Sequence, residues 1–287
     1  MKQMNKHKVL RIGNTVLLSA LAIIICAPVI LTVLASFKSG RELSDNLLPI
    51  LSGGTKSASW KPIPLYPTLR HYIKLLLETP DFFVVFWNSV KITAIILAGQ
   101  AVVAVPAGWA LAKFQFRGKK IILVLYIILM LMPFQITMLP SYLVLERFGI
   151  MNTQAAVILP AIFSTFPVFL IYRGFVAIPR ELTEAARVDG AGEGAVFFRI
   201  GIPLGMPGIR SAAVLGFLEY WNMMEQPLAF IRDRKLWPLS LYLPEIGTGQ
   251  AGAALAAAVI VLVPAAFVYV IGQDDLEQGI IASGIKE

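Results

Sequence analysis

The sequence predicts an all-α membrane protein with six transmembrane helices and a two-helix polar loop between the fourth and fifth. Three observations predict it. Of 287 residues, 57% are hydrophobic and only 15% charged, whereas a soluble domain carries about a quarter charged residues. The apolar residues gather into runs near or above the ~20 needed to cross ~30 Å of hydrocarbon as a helix. One stretch, 184–203 (EAARVDGAGEGAVFFRIGIP), is polar and rich in Gly and Arg, yet lies between strongly apolar segments. A membrane protein that keeps such a loop uses it to touch something in the water.

In chain order, the expected elements are an N-terminal segment 1–13, span one at 14–37, and an external loop at 38–82. Span two follows at 83–112, span three at 121–143 and span four at 155–175. The polar loop occupies 179–207, span five 209–230, span six 251–271, and a tail 272–287. Span one has a basic flank (Lys2, Lys6, Lys8, Arg11), as a signal peptide would. Its apolar stretch exceeds the ~7–15 residues of a signal core and five spans follow, so it reads as an uncleaved helix. Cys26, the single cysteine, lies in this run and reads as a small apolar residue in a buried setting. The long loop 38–82, with Gly53-Gly54, Trp60, Pro62, Pro64 and Pro67, reads as turns and extended backbone.

Net charge is +8. In an integral membrane protein this excess points to membrane orientation and anionic lipid rather than to nucleic acid. Lys113, Arg117, Lys119 and Lys120 follow span two, and Arg173, Arg180, Arg187, Arg199 and Arg210 surround the polar loop. With the basic N-terminus they place both termini and the polar loop in the cytoplasm.

Residues 181–188 are good helix formers. Pro179 suits a helix start, acidic residues complement the helix dipole, and Asp189-Gly190 stops the helix. A second short helix is expected from Glu193 through Ile200, ended by Pro203 and Pro207. Leu182, Ala185, Ala186, Val188, Phe197 and Phe198 offer apolar contact area. Composition alone leaves two readings open, an amphipathic hairpin on lipid headgroups and a docking loop.

The spacing is specific: Glu184-Ala185-Ala186, then Gly190, then Ile200, an aliphatic residue and Pro203. It resembles the EAA loop of ATP-binding-cassette importer permeases, with Ile202 where the family usually has Leu. Asn88-Ser89-Val90, the stretch 110–119 (ALAKFQFRGK), Met132-Pro133, Pro140, Trp221-Asn222 and Gln278-Gly279 resemble the carbohydrate-importing, maltose-type branch. The resemblance covers nearly the whole chain. It implies a type I ABC importer permease fold, with a permease core domain at 83–275. Glu184, Ala185, Ala186, Asp189, Gly190, Ile200 and Pro203 would form the ATPase-coupling loop. It further implies a second homologous permease, two ATPase subunits, and an extracellular or periplasmic solute-binding protein.

Within span five, Glu219, Asn222 and Gln226 share one face at helical spacing, with Trp221 nearby. Polar groups at this depth face protein or water. They either bind sugar hydroxyls in a translocation pathway or hydrogen-bond to the partner permease and neighbouring spans. Gln100 and Gln135 carry the same ambiguity.

No cofactor or metal is expected. The stretch 53–57 (GGTKS) lacks Walker A spacing, and 190–195 (GAGEGA) follows a helix rather than a strand. His7 and His71 are far apart, and no nucleophile stands beside a base. An enzyme reading has no support, so ATP hydrolysis belongs to another chain. Three alternatives remain: the same architecture carrying a polyamine, opine or glycerol phosphate, an ion-coupled transporter, or a scaffold.

Overall fold

A computed structural model describes residues 2–51, 61–242 and 250–284. Gly53-Gly54, the stretch 53–57, Trp60 and Ile285-Lys286 lie outside the described residues. The helices in chain order are α1 (Lys2–Ser36), α2 (Gly40–Leu51), α3 (Arg70–Leu77), α4 (Pro80–Lys113), α5 (Lys119–Leu131), α6 (Phe134–Arg147), α7 (Ala155–Ile162), α8 (Thr165–Val176), α9 (Arg180–Val188), α10 (Glu193–Val196), α11 (Ile202–Trp221), α12 (Glu225–Phe230) and α13 (Ala251–Gly284). Among the described residues no β-strand occurs. Five helical stretches are long and apolar enough to cross a membrane, and a sixth arises if the α5–α6 pair counts as one.

The chain divides into two compact units, one of residues 1–80 with 243–262 and one of 81–242 with 263–287. In the first, α1 presents apolar residues on all sides; none of its spanning window is buried. Cys26 is accordingly exposed rather than buried. The loop after α1 differs from the expected extended backbone, since it contains α2 and α3. Gly and Pro concentrate at 53–67, leaving 41–48 and 70–77 free of breakers. Leu43 and Leu75 tuck inward. Ser36 and Tyr72 share a 2.6 Å hydrogen bond, and His71 Nε2 lies 3.1 Å from the Lys38 carbonyl oxygen.

The second unit is built around close helix contacts. A Cβ placed on Gly208 would lie 3.0 Å from the Gly174 Cα, and one on Gly205 would lie 2.3 Å from the Phe175 ring. Small residues let α8 and α11 approach almost backbone to backbone, where lipid offers no hydrophobic drive. One core cluster holds Ala104, Trp109, Ile171, Phe175, Val196 and Ala212. A second holds Ile92, Ile96, Val157, Tyr220, Met223 and Phe230.

Three expectations within this unit need correction. Span three is not one straight helix, because α5 and α6 meet at 102°. Met132 is extended (ψ 123°) ahead of Pro133, as the residue before proline prefers. Span five ends at Trp221 rather than 230, with Asn222 leaving helical geometry at φ −100° and ψ 6°. The helix beginning at Glu193 is not stopped by Pro203 or Pro207. It passes through a π-helical turn, Phe197–Gly201, directly into α11. The Ile202 N–H bonds the Phe197 carbonyl five residues back, and the wider turn accommodates prolines that cannot donate.

Candidate functional site

Two places gather the sequence-derived residues, a loop at one end of α11 and a cavity near its other end. The loop is built by α9, a glycine turn and α10. Ala191 N–H bonds the Ala186 carbonyl at 2.9 Å, and Gly190 N–H bonds the Arg187 carbonyl at 3.0 Å. This is a Schellman end, which places a left-handed residue after the helix. Gly190 fills that place at φ +85°.

The loop has an anchored inner face and a free outer one. Thr183 and Val196 are buried, while Ala186, Ala191 and Phe197 pack against the core of Trp109 and Phe175. The Trp109 ring sits 5.2 Å from Phe175 and 5.7 Å from Phe197. It also lies under Gly201, where any Cβ would meet it at 2.6 Å. Outward, Glu184, Ala185, Asp189, Gly190 and Pro203 are exposed, and Ile200 is half-buried. Val188 is 87% and Phe198 66% exposed. These two side chains, with Leu182 at 47% exposure, are the apolar surface the loop leaves uncovered in this chain.

A charged fork spans the turn. Arg187 Nε donates to Glu193 Oε1 at 2.7 Å and its Nη2 to Oε2 at 3.1 Å. The hydrogen bond to Glu193 raises the Arg187 pKa above its ordinary value, and the nearby carboxylates of Glu193 and Glu184 add to this. A bidentate guanidinium–carboxylate pair fixes orientation as well as distance. Composition alone did not single out this pair. The signal was an Arg and a Glu flanking Asp189-Gly190 at a separation one tight turn can close.

The cavity, of about 570 Å³, opens among α5, α6, α7, α8, α11 and α12. Glu219 and Gln226 line it together with Thr137, Ser141, Ser164 and Thr165. Asn222 and Trp221 do not. The Asn222 Nδ2 turns back to the Leu218 carbonyl at 2.9 Å. Trp221 is 2% exposed and stacks on Phe217 at 5.5 Å, with Phe86 at its edge. The single helical face expected for Glu219, Asn222 and Gln226 is therefore broken. Glu219 and Gln226 reach one cavity from two helices, because the helix breaks between α11 and α12.

Gln100 and Gln135 also part company. Gln100 is a buried strut, its Nε2 donating to the Ala161 carbonyl at 2.7 Å and to the Tyr220 hydroxyl at 2.8 Å. Gln135 Nε2 donates to Glu225 Oε1 at 3.0 Å. Residues near the start of α4 hold the segment after α12. Asn88 Nδ2 donates to the carbonyls of Lys235 and Trp237, and Ser89 Oγ accepts from the Leu239 N–H at 2.7 Å. Lys113 Nζ donates to the Ile178 carbonyl at 2.7 Å, tying the end of α4 to the segment between α8 and α9. Among the described residues no cluster of His, Cys, Asp and Glu could hold a metal.

Comparison with known proteins fits this arrangement. Residues 104–281 match the family model described as "Binding-protein-dependent transport system inner membrane component". The chain is 30% identical over 269 residues to the arabinooligosaccharides transport system permease protein AraQ of Halalkalibacterium halodurans, covering 93% of each chain. It is 30% identical over 211 residues to the lactose transport system permease protein LacG of Rhizobium radiobacter, covering 71% of this chain and 76% of the relative. In fold it resembles a chain from the crystal structure of a bacterial ABC transporter involved in the import of the acidic polysaccharide alginate. That match has a TM-score of 0.77 and 21% identity, and covers 93% of this chain and 96% of the other. The all-helical architecture is thus that of an ABC importer permease, and the protein is a transport component rather than an enzyme. The chain belongs to the family of binding-protein-dependent transport system inner membrane components.

Proposed function

We propose that this chain is one permease subunit of an ATP-driven importer that carries a sugar or oligosaccharide across the cytoplasmic membrane. One observation carries the coupling part of the proposal, the loop at 184–203 with its anchored inner face and its exposed Val188 and Phe198. The chain would span the membrane six times, with α5 and α6 together forming one bent span. Both termini and the α9–α10 loop would lie in the cytoplasm. A second homologous permease completes the pore, an ATPase dimer docks on the loops, and an external binding protein delivers solute. Surrounding lipid covers the exposed apolar faces. Glu184, Ala185, Ala186, Asp189, Gly190, Ile200 and Pro203 form the ATPase-coupling surface. Of the expected pathway residues, Glu219 and Gln226 are the ones the cavity favours. The printed functions of the sugar-importing relatives support the solute class.

The test is Glu184→Lys in the assembled transporter, produced together with its partner permease, ATPase and binding protein. The expected result is loss of ATPase co-purification and of saccharide uptake, while the variant still inserts in the membrane. Retention of both would remove the loop from the coupling role.

A further inference from the structure

We infer that the cavity wall of this chain selects uncharged saccharides over acidic ones, with Glu219 as the discriminating residue. The inference rests on the sugar reading above and adds to it a substrate charge class.

The cavity lining contains one carboxylate, Glu219, and no Lys, Arg or His. Its other polar groups are an amide on Gln226 and hydroxyls such as those of Ser164 and Thr137. Neither ion pair among the described residues involves Glu219, and no hydrogen bond to it from a described residue is present. A charge at membrane depth is costly and acquires a partner or lines a path for solute. An ionised carboxylate is an acceptor only, with room for about four donors.

A neutral saccharide meets that need. Its hydroxyls donate to Glu219, and its ring and hydroxyl oxygens accept from the Gln226 amide and the serine and threonine hydroxyls. Phe134, Phe166 and Phe230 in the same lining offer apolar surface to the C–H faces of the rings. The volume falls within the ~300–1,000 Å³ usual for small-molecule sites.

An acidic saccharide fares differently. A uronate, phosphate or sulfonate brings a second anion beside Glu219, where the wall contributed by this chain holds no cation to balance it, and like charges repel. The next carboxylate, Glu225, has the same sign. Arg232 reaches the Tyr142 hydroxyl at 3.4 Å but does not line the cavity.

The test uses the complete transporter in proteoliposomes and a panel of neutral disaccharides, each paired with the aldonate made from it. Uptake is compared among wild type, Glu219→Gln and Gln226→Lys, and each rate is expressed relative to wild type for the same sugar. That ratio cancels the binding protein's own preference. In parallel, an apolar carbodiimide labels Glu219 in the detergent-solubilised complex, with and without each sugar.

The expected result is protection of Glu219 by a neutral disaccharide at least about tenfold better than by its aldonate. Both variants should raise the aldonate-to-neutral uptake ratio, Gln226→Lys by more. Equal protection by both sugars, or an unchanged ratio in both variants while wild type still imports disaccharide, overturns this inference and leaves the sugar reading standing. Absence of uptake for every saccharide by a wild-type transporter that still hydrolyses ATP overturns the sugar reading and this inference with it.

Discussion

The α9–α10 loop and the membrane cavity hold the chain's two groups of candidate functional residues, and they are assembled in opposite ways. The loop takes its residues from one continuous stretch of about twenty, and local hydrogen bonds close it. Its Schellman end, its left-handed Gly190 and its Arg187–Glu193 fork all join residues within six positions of each other. The cavity takes its residues from 129 to 230, across six helices. Its shape depends on two chain breaks, the 102° bend between α5 and α6 and the end of helical geometry after Trp221. A local device survives alone as a pattern in sequence, whereas a long-range device exists only once the helices pack.

The largest effect should come from the packing that serves both regions. Gly205→Leu drives a side chain into the Phe175 ring, and overpacking of this kind costs ~1–3 kcal/mol or more. The expected outcome is a sharply lower yield and Tm of the purified transporter, damaging loop and cavity together. A variant of normal stability would show that the two regions do not share this seam.

Next comes Gly190→Val, which should break the loop and spare the cavity. Nothing lies near a Cβ at Gly190, so the cost is backbone strain at positive φ, roughly 1–2 kcal/mol. ATPase co-purification should fall about tenfold. Gly190→Asn should retain most of it, because Asn tolerates the left-handed region. Equal loss in both variants would point to a contact rather than to strain.

Phe198→Ala removes exposed apolar surface and one edge contact to Phe197 at 4.9 Å, while leaving the buried Val196 in place. It should weaken ATPase binding about fivefold with unchanged Tm, as for a buried aromatic anchor in a partner interface. A falling Tm would place Phe198 in the fold instead.

Arg187→Lys replaces a two-pronged donor with a point charge. Both partners are partly exposed, at 35% and 52%, so the stability change should stay below ~1 kcal/mol. Loss of ATP-driven uptake larger than this cost would show that the fork sets the angle between α9 and α10. Smallest of all, Asn222→Ala should leave uptake kinetics near wild type, because Asn222 turns away from the cavity to its own helix. A large loss would return it to the pathway.

The local character of the loop explains why it was legible. The helix formers, the Asp189-Gly190 stop and the spaced Glu, Gly, Ile and Pro each act within one or two turns. The one local error concerned Pro203 and Pro207, which read as helix breakers. A π turn ahead of them absorbs the register change, and no residue type announces such a turn. Apolar run length located helices long and apolar enough to cross a membrane, but not their breaks. Glu219 and Gln226 looked like one face because seven residues make about two helical turns. They do line one cavity, but across a helix break that periodicity cannot reveal. Trp221 looked available for stacking on a sugar, yet Phe217 stacks on it and Phe86 packs against it at nearly a right angle. Whether this ring is free depends both on Phe217, one helical turn back, and on Phe86, more than a hundred residues away.

The π turn at Phe197–Gly201 has a mechanical consequence. Because it carries the helix through Pro203 instead of ending it, the run Glu193–Trp221 is one helical rod. At ~1.5 Å per residue, Glu193 and Glu219 stand about 39 Å apart along that rod. Glu193 is gripped by Arg187 at one end, and Glu219 faces the cavity at the other. With the Gly208–Gly174 crossing as fulcrum, the arm to Glu219 is about 17 Å and the arm to Glu193 about 23 Å, so under the proposed coupling a shift at the gripped end would arrive beside Glu219 reversed in sense and reduced to about three-quarters. In the proposed transporter, a push on the loop would therefore reach the cavity through this one helix with less amplitude and more force.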